Sequence, residues 1–275
     1  MTYTFGGATG DDATNLVALT ENVNADNHIM LVAGWWYPTT LTGTRVYWGC
    51  GPTIRLIVDS TNTDELRLFT NNVTTPGQWL TSGADLTMNR WWFSATLLAC
   101  ENTTVPGAVR VWVGNEATPP QEVTVTNPTV RVGNYTSTGS FTIGNQGATG
   151  TVAFQGDIGW VSIMTTAQLG LLQSPLPIAA SGVISNDEAE HIKQRWVTPL
   201  YLGVPDVGSV QNLYGQGFIV AHWPGLSTAG FMADYTVPAV GSNYAFTING
   251  ATLSQNLPPS SPLPHWPTQP SYVRR

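Results

Sequence analysis

Short stretches in which apolar and polar residues alternate recur along this chain, and they limit its fold more than any other feature of the sequence. They are rich in Val, Ile, Thr and aromatic residues, and Gly, Asn, Pro or Thr separates them. Alternation with period two is the pattern of a β-strand with one buried face. Many such strands with turn signals between them predict an all-β sandwich or barrel. The clearest are Ile29–Tyr37, Arg45–Cys50, Ile54–Asp59, Glu65–Thr70, Trp91–Cys100, Val109–Val113, Glu122–Thr126, Ser140–Gly144 and Val152–Ile163.

One segment departs from this pattern and predicts a helix. Ser185 begins a capping box, and Ala189, Ile192 and Trp196 then fall on one helical face. We therefore expect a single short amphipathic helix over Asn186–Val197, lying on the sheet.

The residue pattern and composition of the sequence change after about Tyr201. Phe218–His222 and Tyr244–Ile248 predict short strands, and Asn249-Gly250 is a hairpin-type turn signal. From Leu257 onward, repeated prolines favour an extended arm and exclude a helix or a central strand. We therefore divide the chain into residues 1–200, the β domain, and residues 201–275, a C-terminal extension with short strands and a proline-rich arm.

The first part of the chain contains, in this order, the segments His28–Pro38, Tyr47–Gly51, Arg90–Thr96, Val111–Asn115, Phe141–Asn145, Phe154–Ile163 and Ile184–Ile192. The order of these motifs resembles that of the laminin-G-like domains, which belong to the concanavalin-A-like jelly rolls. The resemblance covers about Met1–Trp196. Residues 165–182 form an insertion before the helix, and the extension lies outside the resemblance. The resemblance implies a jelly-roll sandwich closed by one short helix.

Charge and hydropathy argue against two classes of partner. The net charge is −7, charged residues make up 10% of the chain, and Lys193 is the only lysine. A nucleic-acid-binding protein normally carries a basic stripe, so we expect no nucleic-acid ligand. The N-terminus has no signal-peptide pattern, and no apolar run approaches the length of a membrane span. We expect neither a signal peptide nor a membrane partner.

The sequence does not indicate catalysis. Jelly-roll glycosidases place clustered carboxylates on one strand, and a retaining mechanism needs two of them close together. The densest acidic cluster here, Asp187–Glu190, opens the predicted helix, where capping explains it. The histidines are scattered, and no nucleophile has a local signature. We therefore predict that the protein is not an enzyme and has no catalytic residues.

Metal and disulfide sites have weak signals. Asp11-Asp12, Asp59 and Asp85 lie in turn-like segments, where aspartate makes turn hydrogen bonds or binds calcium at a loop rim. The turn role is the commoner one, so we predict no cofactor and keep calcium as the alternative. Cys50 and Cys100 are either buried thiols or a disulfide.

Tryptophan is abundant and has two interpretations. Alternation predicts that most of these side chains are core residues, whereas exposed rings would suit sugar binding. Trp223 and Trp266 fall in the extension, beside prolines, and are better placed to contact another chain. The predicted core tryptophans are Trp35, Trp48, Trp92, Trp112 and Trp160.

The polar, proline-rich tail cannot bury enough apolar surface to become ordered on its own. We therefore expect the extension to lie against another molecule. The leading hypothesis is a structural virion protein of a bacteriophage, a capsid decoration (cement) or head-fibre protein assembled in the host cytoplasm. Its partners would be other virion proteins, and we expect a homo-oligomer.

The alternative is a lectin module of a tail fibre or adhesin that binds cell-surface glycan, with unassigned glycan-binding residues. The predicted partner-binding residues are Trp223, Trp266, Tyr272, Arg274 and Arg275.

Overall fold

The computed structural model describes residues 2–8, 12–15, 29–50, 54–59, 61–62, 64–70, 75, 77–99, 109–129, 141–145, 152–165, 219–223, 231–232 and 246–256. These residues form an all-β structure, and none of them lies in a helix long and apolar enough to cross a membrane. The strands are β1 (Thr2–Gly6), β2 (Asp12–Asn15), β3 (Ile29–Pro38), β4 (Arg45–Cys50), β5 (Ile54–Val58), β6 (Leu66–Thr70), β7 (Gly77–Ser82), β8 (Trp92–Ala99), β9 (Val109–Asn115), β10 (Gln121–Thr129), β11 (Phe141–Ile143), β12 (Gln155–Thr165), β13 (Ile219–Trp223), β14 (Phe231–Met232), β15 (Phe246–Asn249) and β16 (Thr252–Ser254).

The strands form two antiparallel sheets that share one strand. The first sheet has the order β9-β8-β3-β12-β1-β16, with β13 also paired to β12. The second has the order β7-β6-β5-β4-β11-β2-β15-β14. The first residues of β10 pair with β9 and its later residues pair with β7, so β10 passes from one sheet to the other. The predicted sandwich is confirmed in this part of the chain.

The core lies between the inner faces of the two sheets. Trp36 of β3 packs against Tyr47 of β4, with 5.2 Å between ring centroids, and against Phe154 at 6.1 Å. The neighbouring Trp35 is buried on the opposite face of β3, where its ring meets Phe93. Burial of aromatic rings of this size is a large part of what stabilises such a domain. The predicted burial is confirmed for Trp35, Trp48, Trp92 and Trp112, and the Trp160 side chain lies outside the described residues.

Strands from the predicted extension join both sheets. β13 pairs with the second half of β12, and β16 pairs with β1. β15 pairs with β2 and, on its other side, with β14. The described strands of residues 219–254 therefore complete the two sheets and form no separate sheet among themselves. The division of the chain at residue 200 stays a prediction.

The turn at Asn249-Gly250 forms, but it does not make the hairpin that the sequence suggested. Gly250 has a φ of +69°, which glycine adopts without strain. The strands on either side pair with different partners, β15 with β2 in the second sheet and β16 with β1 in the first. This turn therefore carries the chain from one sheet to the other.

Four further predictions concern residues that are wholly or partly outside the described ranges. The helix at Asn186–Val197 and the arm at Leu257–Arg275 lie outside the described residues. So does the insertion at residues 165–182, apart from Thr165, the last residue of β12. Cys50 ends β4, and Cys100 lies outside the described residues.

Candidate functional site

The outer face of the second sheet carries a row of partly exposed side chains. On β6, Leu66 and Leu68 point into the core and are fully buried, so Arg67 and Phe69 face outward. The same alternation on β5 turns Arg55 outward. This face is where side chains of β5, β6 and β7 can meet a ligand.

The register of the three strands brings five of these side chains together. Arg55 lies opposite Phe69, and Phe69 lies opposite Gln78 of β7. Arg67 lies opposite Leu80, and this pair is two residues away from Phe69 and Gln78 along their strands. Strand neighbours in a sheet are about 4.8 Å apart, so the five form one continuous surface. We call Arg55, Arg67, Phe69, Gln78 and Leu80 the Phe69 platform.

Two guanidinium groups lie close to the ring of Phe69. The Arg55 Cζ atom is 4.9 Å from the ring centroid, and the Arg67 Cζ atom is 5.8 Å from it. Guanidinium groups at these distances are attracted to the ring by its quadrupole. Phe69 remains partly exposed, so part of its surface is accessible to a ligand.

A buried carboxylate holds the head of Arg67. Arg67 Nη2 donates to Asp59 Oδ2 at 2.8 Å, and Asp59 is fully buried. The other carboxylate oxygen accepts a hydrogen bond from the backbone N–H of Thr61 at 3.1 Å. Asp59, a calcium candidate in the sequence, therefore has a structural role as the ion-pair partner that orients Arg67.

Arg55 is less hydrated than a surface arginine. Partial burial lowers the pKa of the Arg55 guanidinium from its ordinary value. The group still carries its charge at neutral pH, because arginine does not deprotonate in proteins. Its planar N–H groups are thus held beside an aromatic ring in a partly dry setting.

The platform has the chemistry of a sugar-binding surface. An aromatic ring accepts the apolar C–H face of a sugar, and the Arg and Gln side chains offer hydrogen bonds to hydroxyl groups. Nearby Thr124 and Thr126 of β10 are exposed and uncharged, which extends a neutral polar surface beyond Leu80. The combination of one ring with polar groups at its edges suits a ligand that is apolar on one side and polar at its rim.

Among the predicted partner-binding residues, Trp223 alone lies within the described structure. Trp223 is the last residue of β13, where it pairs with Val161, and its side chain is not described. Trp266, Tyr272, Arg274 and Arg275 lie outside the described residues. Their role as contacts to another chain stays a prediction.

The other calcium candidates are dispersed. Asp12 begins β2, and Asp11 lies outside the described residues. Asp85 is exposed in the loop after β7, with a φ of +49°. Within the described ranges, His, Cys, Asp and Glu form no group of three or more that could hold a metal ion.

Three carboxylates are buried in the described structure, and each one accepts hydrogen bonds from the chain itself. Asp59 binds Arg67, as described above. Glu65 accepts from Thr81 Oγ1 and from the backbone of Gly83 and Ala84. Asp157 accepts from the Thr4 hydroxyl and from Asn256. In this structure, hydrogen-bond donors of the chain itself therefore satisfy all three carboxylates.

The sequence pattern did not lead us to predict the Phe69 platform, although it contained one indication that Phe69 faces outward. The segment Glu65–Phe69 predicts a strand with one wet face because Arg67 interrupts its apolar residues. Phe69 lies on that same face and could have been recognised as an outward-facing aromatic residue. Its neighbours Arg55 and Gln78 depend on strand register, which the sequence alone does not supply.

Comparison with known proteins shows the fold. No protein-family model matches the sequence, and neither does any curated protein. Among solved structures, a candidate carbohydrate-binding protein from Bacteroides ovatus aligns over 94% of this chain with a TM-score of 0.58 and 12% sequence identity. The fold is a concanavalin-A-like (laminin-G-like) jelly roll. This chain covers 61% of the Bacteroides ovatus protein.

Two further structures are similar over smaller parts of the jelly roll. Domains LG4–5 of the mouse laminin α1 chain align over 59% of this chain and 40% of their own, with a TM-score of 0.40 and 13% identity. A toad ovary galectin in complex with thio-digalactose aligns over 56% of this chain and 98% of its own, with a TM-score of 0.29 and 11% identity.

Proposed function

We propose that this protein is a non-enzymatic, lectin-like module that binds carbohydrate on the Phe69 platform. The observation that carries the proposal is the partly exposed side chain of Phe69, which has the guanidinium groups of Arg55 and Arg67 close to its ring and Gln78 opposite it on β7. A sugar ring would stack on Phe69 and hydrogen-bond to the groups beside it.

The fold and the composition both support this proposal. The Bacteroides ovatus structure with the same fold is a candidate carbohydrate-binding protein. Charged residues make up only 10% of the chain, and neutral polar groups match sugar hydroxyls and cost less to desolvate than charged groups do. The proposal concerns this module alone, since the chain covers 61% of that protein.

A glycan array tests the proposal directly. The full chain is applied to immobilised glycans beside two variants, Phe69→Ala and Arg110→Gln. Arg110 is the matched control because its guanidinium also lies over an aromatic ring, that of Trp112 at 5.4 Å, and it is paired with Glu122 elsewhere in the protein. We expect glycan signals that Phe69→Ala loses and Arg110→Gln keeps. An array without signal for the wild-type chain would contradict the proposal.

A role in an assembly is a second proposal, and one observation favours it. Asn256, just before the predicted arm, is fastened to the folded body by hydrogen bonds to Thr2, Trp91 and Asp157. In this structure the arm would therefore begin at a defined place on the folded body, from which a segment that clasps a neighbouring subunit would start. A bacteriophage virion is the setting we propose for such an assembly.

The assembly proposal is tested by deleting Leu257–Arg275. Phage particles produced with the truncated chain should lack it, whereas the full chain should be present in stoichiometric amounts by mass spectrometry. Equal incorporation of both chains would contradict an arm-mediated role.

A further inference from the structure

A cluster of polar and aromatic side chains lies on the outer face of the first sheet. Thr4, Asp157 and Tyr37 are neighbours across β1, β12 and β3. They alternate with Tyr3, Ile158 and Trp36, which point into the core, so they face outward. The ring of Tyr37 packs against Trp91 with 5.5 Å between centroids. We call Thr4, Tyr37, Trp91 and Asp157 the Asp157 cluster.

The side chain of Asn256 occupies this cluster. Its Nδ2 atom donates to Asp157 Oδ2 at 2.7 Å, and its Oδ1 atom accepts from Trp91 Nε1 at 3.2 Å. Its backbone carbonyl accepts from Thr2 Oγ1 at 2.5 Å. One amide group thus satisfies an acceptor and a donor that both belong to the folded body.

These two contacts are the ones that a ligand hydroxyl would make. A carboxylate accepts hydrogen bonds, an indole N–H only donates, and a hydroxyl group can donate to the first and accept from the second. The amide of Asn256 does both at once. An aromatic pair, Tyr37 and Trp91, lies beside these polar groups, as in a surface that receives a sugar ring.

The strand just before Asn256 is short and exposed. β16 has only three residues, Thr252–Ser254, and it is paired to β1 on one side. Thr252, Leu253, Gln255 and Asn256 are all exposed, and 46% of the Leu253 surface is accessible. Short, exposed elements with few buried contacts open at a lower free energy than the core does.

We propose that the Asp157 cluster is a second carbohydrate-binding site, which Asn256 closes in this structure by acting as an internal ligand. Detachment of β16 withdraws the amide and leaves the Asp157 carboxylate and the Trp91 indole N–H to a sugar hydroxyl. The site lies on the opposite outer face of the sandwich from the Phe69 platform. This proposal does not depend on carbohydrate binding at that platform.

The test uses full-length protein carrying Phe69→Ala, so that binding at the platform does not contribute. Asn256→Ala is added to open the cluster, and Gln255→Ala, at the neighbouring exposed residue, is the matched control. Hydrogen exchange by mass spectrometry reports on β16, and saturation-transfer NMR detects binding of methyl glucoside, methyl galactoside and methyl mannoside. Circular dichroism confirms that each variant is folded.

We expect Asn256→Ala to speed exchange in Thr252–Ser254 by about tenfold or more, since it removes hydrogen bonds of which one goes to a carboxylate. At least one methyl glycoside should then bind, and adding the isosteric Asp157→Asn should abolish that binding. The Gln255→Ala control should show neither change.

Three results would overturn the proposal. Unchanged exchange in Asn256→Ala would show that Asn256 does not hold β16. Faster exchange without glycoside binding would show that the cluster is structural only. Equal glycoside binding with and without Asn256→Ala would show that the Asn256 amide does not block the Asp157 cluster.

Discussion

The carboxylate of Glu65 accepts a hydrogen bond from the backbone N–H of Gly83, at 2.6 Å. It also accepts from the Thr81 hydroxyl at 2.5 Å and from the N–H of Ala84 at 3.2 Å. One buried side chain therefore ties the start of β6 to the end of β7 and the loop that follows. β6 and β7 also carry Phe69 and Gln78, so this contact joins two of the strands that form the Phe69 platform.

Replacing Glu65 by Gln should destabilise the protein. The amide keeps the size of the side chain, but it replaces an acceptor oxygen with a donor that faces other donors. The expected loss is about 1.5–3 kcal/mol in the free energy of unfolding, measured by urea titration. Asp64→Asn, at the exposed neighbouring residue, is the control and should change little. A loss no larger than that of the control would contradict this role of Glu65.

Thr96→Val should leave the protein as stable as before or more stable by about 1 kcal/mol. Thr96 is buried, and its Oγ1 atom has no hydrogen-bond partner in the described structure. Valine has nearly the same shape and removes an unsatisfied polar atom. Thr81→Val is the matched comparison, because the buried Thr81 hydroxyl bonds to Glu65 and Leu66, and its loss should be destabilising. Equal destabilisation by both substitutions would refute the prediction.

Tyr47 should make the protein lose stability in alkali. Burial raises the pKa of the Tyr47 hydroxyl well above its ordinary value of 10.0. Above pH 10 the unfolded chain ionises this group while the folded chain keeps it neutral, so stability should fall by roughly 1.4 kcal/mol per pH unit until the folded pKa is reached. Below pH 10 this contribution is constant.

Tyr47→Phe removes that dependence and serves as the test. The difference in unfolding free energy between wild type and Tyr47→Phe should be flat below pH 10 and should move in favour of the variant above it. The hydroxyl has no partner in the described structure, so its removal should cost little at neutral pH. A difference that does not change between pH 8 and 11 would disprove the prediction.

The alternating pattern predicted most of the described strands within a few residues. Arg45–Cys50 is observed as predicted, and Ile54–Asp59 ends one residue earlier. Alternation works here because one face of each strand is buried in the common core. β7, Gly77–Ser82, was missed because its glycine and polar residues give no clear period. Its pairing with β6 and β10 defines it instead.

Neither candidate site could be derived from the sequence, and strand register is the reason. The pattern indicates that Phe69 and Arg67 share a face, but it does not show that Arg55 and Gln78 lie beside them. The Asp157 cluster is a stronger example, since Asn256 and Asp157 are 99 residues apart and meet through β1 and β16. Contacts of this kind depend on the closed fold as a whole.

The binding role of the Phe69 platform is tested most directly by calorimetric titration. The glycan with the strongest array signal is titrated into wild type, Phe69→Ala and Arg110→Gln, each checked for folding by circular dichroism. We predict that Phe69→Ala binds at least about tenfold more weakly, a difference of roughly 1.4 kcal/mol, and that Arg110→Gln binds like wild type. An affinity that Phe69→Ala leaves unchanged would contradict the assignment of this platform as the binding site.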